Sequence, residues 1–337
     1  MSLMNKDIKK IAIVRLSALG DIINSAFVLQ FIKKEYPNAE ISWIVEECFS
    51  SILKEIPYLE NIYTVNLKKL KKEKSFSFLK EEYKKLKKIS QFDIIIDMQG
   101  LIKSALVARI LGNHVHGFDK HSTRESLAAL FYKTTTSIAY ETNVISRNAQ
   151  VVAEALGFSI TEEMIQQKEA LFPITKNFTL RSDKKNVALV IGASWPSKRY
   201  SNENFVALCN DLKEEMYVIW GNEQEYEDAK WITQNSKYAT LAPKLTLDEL
   251  ISFISHMDLL IGNDTGPTHI AWAQNIASIT LLGPTTTRMI GETPKNIAIK
   301  SSSNVNILKI DKNDFSIRDI DPSFISAKAK DLLDHGL

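Results

Sequence analysis

The sequence has little cysteine, no long hydrophobic run and almost no net charge. Its 337 residues include two cysteines, Cys48 and Cys209, and this number favours a reducing cytosol over a disulfide framework. The apolar runs are strand-sized, well below the roughly 18 residues that a membrane-spanning helix needs. No apolar core or cleavage site marks the first residues, so we expect no signal peptide. With 45% hydrophobic and 24% charged residues, the composition is that of a globular protein and excludes wholesale disorder.

The net charge of +2 conceals a basic block. Residues 68–88 contain ten lysines and three glutamates, a local charge of +7, so the rest of the chain sums to −5. Such a block is either a solvated helix face or a surface for an anionic partner, which could be nucleic acid, phospholipid or a phosphorylated substrate. The chain lacks zinc-finger spacing and an RNP motif, so we expect no nucleic-acid partner.

Short apolar strands alternate with amphipathic helices along the whole chain, which predicts an α/β protein with parallel sheets. Strands are predicted at 10–16, 40–45, 62–65, 92–97 and 114–118, and again at 186–191, 216–220, 239–241, 258–261 and 277–282. Helices are predicted at 22–36, 76–89, 101–111, 123–132 and 143–156, and again at 202–212, 223–234, 247–256, 267–274 and 324–333.

The alternation restarts after a polar, aperiodic stretch at 172–185. This restart predicts two Rossmann-like domains, 1–172 and 173–337, with the last helix able to pack back on the N-terminal domain. Ligands of such sheets bind outside the carboxyl ends of the strands. We therefore expect the two domains to face each other across a ligand cleft.

The first predicted strand runs into a turn with a single glycine, followed by a helix. A dinucleotide fingerprint or a P-loop would need further glycines here, and both motifs are absent. What remains is Asp21, near the helix start. It could cap the helix, or it could be a general base that acts on a substrate hydroxyl. The helix dipole favours the charged carboxylate, so strong basicity would require burial to offset the dipole.

The most informative segment is L-L-I-G-N-D-T-G-P-T-H, where an apolar strand ends at Asp264. Gly266 permits close approach of the backbone to a ligand, and Pro267 suits the first helical position. Amides at a helix N-terminus bind phosphate groups without a metal. His269 could donate to the same phosphate, and the next turn, G-P-T-T-T, adds hydroxyls such as that of Thr285. The alternative is an ordinary strand–turn–helix junction with a structural histidine.

Two further loops follow predicted strands in the second half. Lys198 or Arg199, in W-P-S-K-R, could neutralise a diphosphate, although surface lysines usually have no specific role. After the W-G turn, Glu223 or Glu225 could accept hydrogen bonds from ribose hydroxyls, or could simply be favoured by the helix dipole. No cluster of cysteine and histidine has zinc spacing, so we expect no metal.

Several motifs spread over residues 10–333 resemble glycosyltransferase family 9, the lipopolysaccharide heptosyltransferases. They are S-x-x-G-D ending at Asp21, W-I-V-E-E, D-M-Q-G-L-I-K-S, T-R-E, D-T-G-x-x-H beginning at Asp264, and G-P-T. The last two motifs are typical of the family as a whole. The W-x-V-E-E, D-x-Q-G-L-x-K-S and T-R-E stretches are typical of its type I members rather than type II.

The resemblance implies a GT-B fold and inverting transfer of heptose from ADP-heptose to a Kdo residue of Kdo-lipid A, in inner-core synthesis. It implies no metal or other cofactor and no transmembrane segment, and a cytoplasmic enzyme peripheral on the inner membrane. The family's proposed base falls on Asp21. Donor-binding positions fall on Ser194, Lys198, Glu225 (with Glu223 as an alternative), Asp264, Thr265, Gly266, His269 and Thr285. Acceptor-binding positions are expected at Arg15, Ser17, Gly20, Lys68, Lys69, Lys71, Lys72, Gln99, Lys103 and Arg124.

Two departures from the family pattern bear on these expectations. Relatives often carry Thr-Thr at Ala193-Ser194, so one hydroxyl contact to the diphosphate is in question. Lysine is common in relatives at the position of Arg15, and an arginine fork binds phosphate differently from an ammonium. Two alternatives stay open: a related member that acts on another core sugar or uses another nucleotide sugar, and a non-catalytic binding protein for a nucleotide or sugar.

Overall fold

The computed structural model describes residues 8–54, 56–73, 75–89, 91–307 and 309–335, without the side chains of residues 71–73 and 335. The chain divides into two compact units, Met1–Leu171 and Phe172–Leu337. The division lies one residue from the boundary expected from the sequence. None of the described helices is both long and apolar enough to cross a membrane.

The described part of the first unit contains six parallel strands in the order β3-β2-β1-β4-β5-β6. The strands are β1 (Lys10–Val14), β2 (Glu40–Glu46), β3 (Asn61–Val65), β4 (Ile94–Asp97), β5 (Val115–Phe118) and β6 (Thr134–Thr136). The helices are α1 (Leu19–Ala26), α2 (Val28–Glu35), α3 (Leu67–Glu73), α4 (Phe76–Lys87), α5 (Ile102–Leu111), α6 (Val144–Leu156) and α7 (Glu162–Gln166), with 3-10 turns at Glu47–Leu53 and Ser126–Phe131.

The described part of the second unit repeats this plan, with strand order β12-β11-β10-β7-β8-β9. The strands are β7 (Asn186–Val190), β8 (Glu215–Ile219), β9 (Ala239–Leu241), β10 (Leu259–Asn263), β11 (Ser278–Leu282) and β12 (Asn296–Lys300). The helices are α8 (Asn202–Leu212), α9 (Glu223–Asn235), α10 (Leu247–Ser255), α11 (Gly266–Ala273) and α12 (Pro322–His335). The last helix belongs to this unit, because Ile325 and Ala329 lie in its core.

The central strands are buried on both faces, which is why they consist of continuous apolar runs. All residues of β4, β7, β10 and β11 are buried. Helices cover both faces of a parallel sheet, so nearly every strand side chain must be apolar. The predicted α/β class, with two Rossmann-like units, is confirmed.

Several local predictions were wrong. Residues 123–132 form only the Ser126–Phe131 turn instead of a helix, and the predicted helix 22–36 divides in two at Phe27. The edge strands β6 and β12 were missed; β6 reads T-T-T, which carries no apolar alternation. Pro267 occupies the second helical position of α11, after Gly266. By contrast, Gly157 does cap α6 in the left-handed conformation, at φ 78°.

In each parallel sheet the order in which the chain adds strands reverses at one pair of neighbouring strands, and the segments that follow these two strands diverge. In the first sheet β1 pairs with both β2 and β4, and in the second β7 pairs with both β10 and β8. In open α/β sheets this switch point is where ligands bind, outside the carboxyl ends of the strands. A ligand site is therefore expected in the segments after β1, β4, β7 and β10.

The first sheet also contains a buried histidine, His116. His116 on β5 is 4% exposed, and its ring nitrogens lie 2.8 Å from Thr134 Oγ1 and 2.9 Å from Thr136 Oγ1. Burial lowers the pKa of His116 to about 4, although the charge of Glu154 opposes this shift. The folded protein therefore holds the neutral ring at a pH where an exposed histidine is already protonated.

We expect the first unit to lose stability in acid because of this histidine. Between its ordinary pKa of 6.5 and about 4, the unfolded state binds more protons than the folded state. The free energy of unfolding should fall across this window by up to about 3 kcal/mol as pH decreases. Urea unfolding at several pH values measures this slope. His116→Gln should flatten it, and His114→Gln, at an exposed position, should not; equal slopes in both variants would contradict the assignment.

Candidate functional site

In the first unit, the end of β1 places an arginine against an aspartate. Arg15 Nη2 lies 2.7 Å from Asp21 Oδ1, and Arg15 Nη1 donates to the carbonyl of Met98. The backbone N–H of Ala18 donates to Asp21 Oδ2 at 3.0 Å. Asp21 is the third residue of α1, so it is not the N-cap, which is Ala18. Each oxygen of the Asp21 carboxylate therefore has a protein donor. The side chain is nevertheless 26% exposed, so the carboxylate remains accessible.

The loop after β4 is held in place by a buried carboxylate. Asp97 Oδ1 accepts the N–H groups of Gln99 at 2.9 Å and Gly100 at 3.2 Å, and Oδ2 accepts the hydroxyls of Ser104 and Tyr132, each at 2.8 Å. Burial raises the pKa of Asp97, and these four donors oppose that shift. The sequence placed Asp97 in the D-M-Q-G-L-I-K-S motif without giving it a role of its own. Its position at the end of an apolar strand was the available signal.

Asp97 thereby fixes Gln99 beside the Arg15–Asp21 pair. Gln99 Oε1 accepts the N–H of Leu16 at 2.8 Å, and its amide nitrogen lies 3.5 Å from Ser17 Oγ. The structure therefore brings together five of the predicted residues of the first unit at one switch point: Arg15, Ser17, Gly20, Asp21 and Gln99.

A second carboxylate at this edge organises two predicted lysines. Glu46, the last residue of β2, is buried, and the backbone N–H groups of Leu67 and Lys68 at the start of α3 lower the pKa of its carboxyl. Burial raises the pKa of Glu46, while the charges of Lys68 and Lys103 lower it. Lys68 Nζ also lies 4.5 Å from the ring centroid of Phe49. Lys68 and Lys103 therefore share one buried anion, which neutralises only part of their charge.

The other predicted acceptor residues are more scattered. Lys69 Nζ lies 5.0 Å from the ring centroid of Phe78, and Arg124 is exposed, with no ion pair to another described residue. The side chains of Lys71 and Lys72 lie outside the described residues.

In the second unit, a lysine, an aspartate and a histidine form a buried polar cluster at the ends of β7 and β10. Lys198 Nζ is 2.6 Å from Asp264 Oδ2, and His269 Nε2 is 3.5 Å from Asp264 Oδ1. Burial raises the pKa of Asp264, but the hydrogen bond from His269 and the charge of Lys198 outweigh it and hold the pKa well below its ordinary value. Asp264 is therefore a fixed anion that orients a cation and an imidazole toward the start of α11.

The start of α11 has the features of an anion site. Thr265 is the extended N-cap and makes no side-chain capping bond, and Gly266 is the first helical residue. Thr285, in the turn after β11, is 7% exposed, and its hydroxyl has no hydrogen-bond partner among the described residues. A buried hydroxyl without a partner costs free energy unless a ligand pairs with it.

Further polar atoms without a partner cluster in the loop after β7. Within the described chain, Trp195 Nε1, Ser197 Oγ and Arg199 Nε are all buried without a hydrogen-bond acceptor or donor. Ser194, which was predicted to contact the donor, is exposed in the same loop. Such a group of unsatisfied atoms around Lys198 is typical of a loop shaped to receive a polar ligand. Sequence reasoning overlooked Ser197, which lies one residue before the lysine.

The structure separates the two candidate glutamates. Glu223 is exposed at the start of α9, whereas the Glu225 side chain is 15% exposed. Glu225 Oε2 accepts the N–H of Gly221 at 2.8 Å. Gly192 leaves the space that Glu225 fills, because a Cβ there would lie 2.4 Å from Glu225 Oε1. Only Glu225 points toward the carboxyl end of β7.

Asn263 joins the two strands of this switch point and was missed from the sequence. It is fully buried; Nδ2 donates to the carbonyl of Ile191 at 2.7 Å, and Oδ1 accepts the N–H of Tyr200 at 3.0 Å. These bonds fasten both ends of the loop that carries Lys198. Its position as the last residue of an apolar strand was the available indication.

The two switch points offer different chemistry. The first presents an accessible carboxylate beside cations, which suits proton abstraction from a hydroxyl near an anionic group. The second presents a cation, an imidazole and a helix N-terminus, which suits stabilisation of phosphate charge. Among the described residues, no three His, Cys, Asp or Glu side chains are grouped so that they could hold a metal ion.

Solved structures that resemble this chain give its fold, which is the GT-B fold of glycosyltransferases. The fold matches Escherichia coli heptosyltransferase WaaC with ADP-2-deoxy-2-fluoro heptose at a TM-score of 0.78 and 22% identity, covering 96% of this chain and 99% of that one. It also matches a glycosyl transferase family 9 structure from Veillonella parvula at a TM-score of 0.81 and 18% identity, covering 99% and 100%. The predicted GT-B fold is confirmed.

The sequence comparisons then give the family. The model of glycosyltransferase family 9 (heptosyltransferase) matches residues 82–317. The lipopolysaccharide heptosyltransferase 1 of Campylobacter coli is 38% identical, covering 96% of this chain and 98% of that protein. The Escherichia coli K12 protein of the same name is 27% identical over 89% of this chain and 96% of its own length. The chain belongs to glycosyltransferase family 9, so the predictions of the family and of a glycosyltransferase enzyme are confirmed.

We expect Asn263 to be the most costly asparagine to truncate in the second unit. Asn263→Ala leaves a buried carbonyl and a buried N–H unpaired, which should lower the free energy of unfolding by about 2–4 kcal/mol. Asn204 makes a similar bond, from Nδ2 to the carbonyl of Arg318 at 2.9 Å, but it is partly exposed. Asn204→Ala should cost less than about 1 kcal/mol, because water replaces the lost bond. Urea unfolding compares the two, and equal losses would contradict the role assigned to Asn263.

Proposed function

We propose that this protein transfers heptose from ADP-heptose to a Kdo residue of Kdo-lipid A, with inversion and without a metal. The reaction belongs to the synthesis of the lipopolysaccharide inner core. The main support is that a family 9 chain carries both an accessible carboxylate at the switch point of its first unit and an anion site at the switch point of its second unit. The relatives named lipopolysaccharide heptosyltransferase 1 give the reaction class.

Asp21 is the proposed general base. Its carboxylate takes the proton from a Kdo hydroxyl, the hydroxyl oxygen forms a bond to the anomeric carbon of the donor, and the bond from that carbon to the diphosphate breaks. Arg15 holds the carboxylate in one orientation through the 2.7 Å contact. The exposed quarter of the Asp21 side chain gives the acceptor hydroxyl a route to an oxygen.

ADP leaves with the electron pair of the broken bond, and the second unit stabilises the charge. Lys198 supplies a positive charge that Asp264 holds in position, and the N-terminus of α11 adds backbone amides. The unpartnered hydroxyls of Ser197 and Thr285 are available to phosphate oxygens. These groups do together what a divalent cation does in metal-dependent transferases, and transfer should therefore persist in EDTA.

The acceptor's phosphates and sugar carboxylates meet the cations at the carboxyl edge of the first sheet. Lys68 and Lys103 carry more positive charge than Glu46 neutralises. The exposed Arg124 adds a guanidinium suited to bidentate contact with a phosphate or a carboxylate. Because the acceptor is a membrane lipid, the enzyme works as a peripheral protein on the cytoplasmic face of the inner membrane.

Removal of the proposed base should slow transfer severely while donor binding survives. We expect Asp21→Ala to lower kcat by about 100-fold to 10,000-fold, because general base catalysis typically contributes that much. ADP release with donor and acceptor measures turnover, and calorimetry measures the Kd for ADP, which should not change. Glu35→Gln, an exposed carboxylate of the same unit, is the control. Wild-type turnover of Asp21→Ala would remove Asp21 as the base.

The two glutamates of α9 provide a matched test of the donor site. Glu225→Gln should weaken ADP binding about tenfold or more, because a carboxylate that accepts from ribose hydroxyls is replaced by a weaker, neutral acceptor. Glu223→Gln should leave the Kd for ADP unchanged, since that side chain is exposed. Calorimetry with ADP gives both values. Weaker binding in Glu223→Gln alone would reverse the assignment.

A further inference from the structure

One face of the first unit gathers exposed apolar side chains. Among the described residues of that unit, every large hydrophobic side chain that is exposed lies on α4, on α5 or in the Ser126–Phe131 turn. Phe76 is 79% exposed and Leu130 is 78% exposed. The complete set is Phe76, Leu79, Tyr83, Leu106, Leu127 and Leu130. We call these three elements the α4–α5 face.

The three elements of this face are neighbours, since α5 packs against both α4 and the Ser126–Phe131 turn. The turn is held firmly at its base. Ala128 is fully buried, and the hydroxyl of Tyr132 donates to the buried Asp97 at 2.8 Å. Leu127 and Leu130 are therefore exposed because the anchored backbone directs them outward.

Helix α4 carries a different pattern on each side. Glu82 and Leu86 are buried, at a spacing that defines the inner side. On the outer side, apolar and basic residues interleave: Phe76, Leu79 and Tyr83 with Lys80, Lys84 and Lys87. An amphipathic helix of this kind, with lysines beside exposed aromatic and leucine residues, is typical of helices that lie in a membrane interface.

The charge of the face favours one partner. Along α4 and α5 the exposed cations are Lys80, Lys84, Lys85, Lys87, Lys103 and Arg109, whereas Glu81 is the exposed acid among the described residues of these helices. Anionic headgroups attract such cations, and lysine stems can bury their methylenes while the ammonium stays in water. A nucleic acid would leave the leucines exposed, whereas a lipid surface satisfies both the charges and the apolar side chains.

We propose that the α4–α5 face docks the enzyme on an anionic lipid bilayer, with Phe76 and Leu130 as apolar anchors and the lysines of α4 on the headgroups. The proposal deepens the proposed function, because it names the surface that meets the membrane carrying the acceptor. It also divides the basic block between two ligands. Lys68 at the start of α3 binds the acceptor, and Lys80 and Lys84 bind the lipid headgroups of the bilayer.

Co-sedimentation of the full chain with vesicles tests the apolar part. With vesicles of equal parts phosphatidylglycerol and phosphatidylethanolamine, Phe76→Ser/Leu130→Ser should bind about tenfold more weakly than wild type. The matched control is Ile174→Ser/Phe324→Ser, at side chains 53% and 52% exposed in the second unit. The control should bind like wild type. Equal binding by all three proteins would overturn the proposal.

A second pair of variants tests the charge. Lys80→Gln/Lys84→Gln should weaken binding to the same vesicles roughly tenfold or more at low salt, and added salt should narrow the difference from wild type. Lys230→Gln/Lys237→Gln, two exposed lysines of the second unit, should bind like wild type. Vesicles of phosphatidylcholine alone should bind all of these proteins weakly. Equal binding of the wild type to phosphatidylcholine vesicles and to the anionic vesicles would overturn the proposal.

Two further measurements separate this proposal from its rivals. Phe76→Ser/Leu130→Ser should keep the wild-type kcat with a delipidated, water-soluble acceptor, since neither residue belongs to the catalytic or binding sites. If the wild type transfers heptose to none of the acceptors, the proposed function is refuted. If Phe76→Ser/Leu130→Ser transfers heptose and binds vesicles as well as the wild type does, the docking face alone is refuted. Self-association of the wild type that this variant abolishes, seen in sedimentation velocity, would assign the face to a second copy and overturn the proposal.

Discussion

Burial of the strands on both faces is the constraint from which the other features of this protein follow. A strand such as β4 or β10, with every residue buried, has no exposed side on which to carry polar chemistry. Polar side chains are accommodated where the strand ends, and they have most room where the sheet order reverses and the connecting segments diverge. Both units obey this rule, with Asp21 and Gln99 at one reversal and Lys198 and Asp264 at the other.

The charged groups at these two places are held by other protein groups before any substrate arrives. Arg15 fixes Asp21, Asp97 fixes the loop of Gln99, and Asp264 fixes Lys198. Burying ions costs desolvation free energy, which is recovered only when partners and hydrogen bonds are well placed. What results is a pre-oriented electrostatic field, and such fields accelerate group transfer because they need little reorganisation during the reaction.

The basic block of residues 68–88 contributes to two different surfaces of the folded protein. The sequence shows ten lysines between residues 68 and 88, and their count alone does not say which of them share a surface. Folding places Lys68 beside the buried Glu46 at the sheet edge and places the lysines of α4 on a helix whose outer side also carries Phe76. Two surfaces with different chemistry arise from one compositional feature, because helix geometry and the neighbouring strand decide where each ammonium lies.

The sequence by itself determined the α/β class, most strand positions and the family, because continuous apolar runs and strand-end motifs are local properties. It failed at β6 and at residues 123–132, where pairing and packing override weak local preferences. Only the tertiary structure could show that Glu225 fills the space beside Gly192, that Asn263 joins two strands, and that the leucines of the Ser126–Phe131 turn are exposed. These features depend on distances between residues far apart in the chain, which neither composition nor periodicity contains.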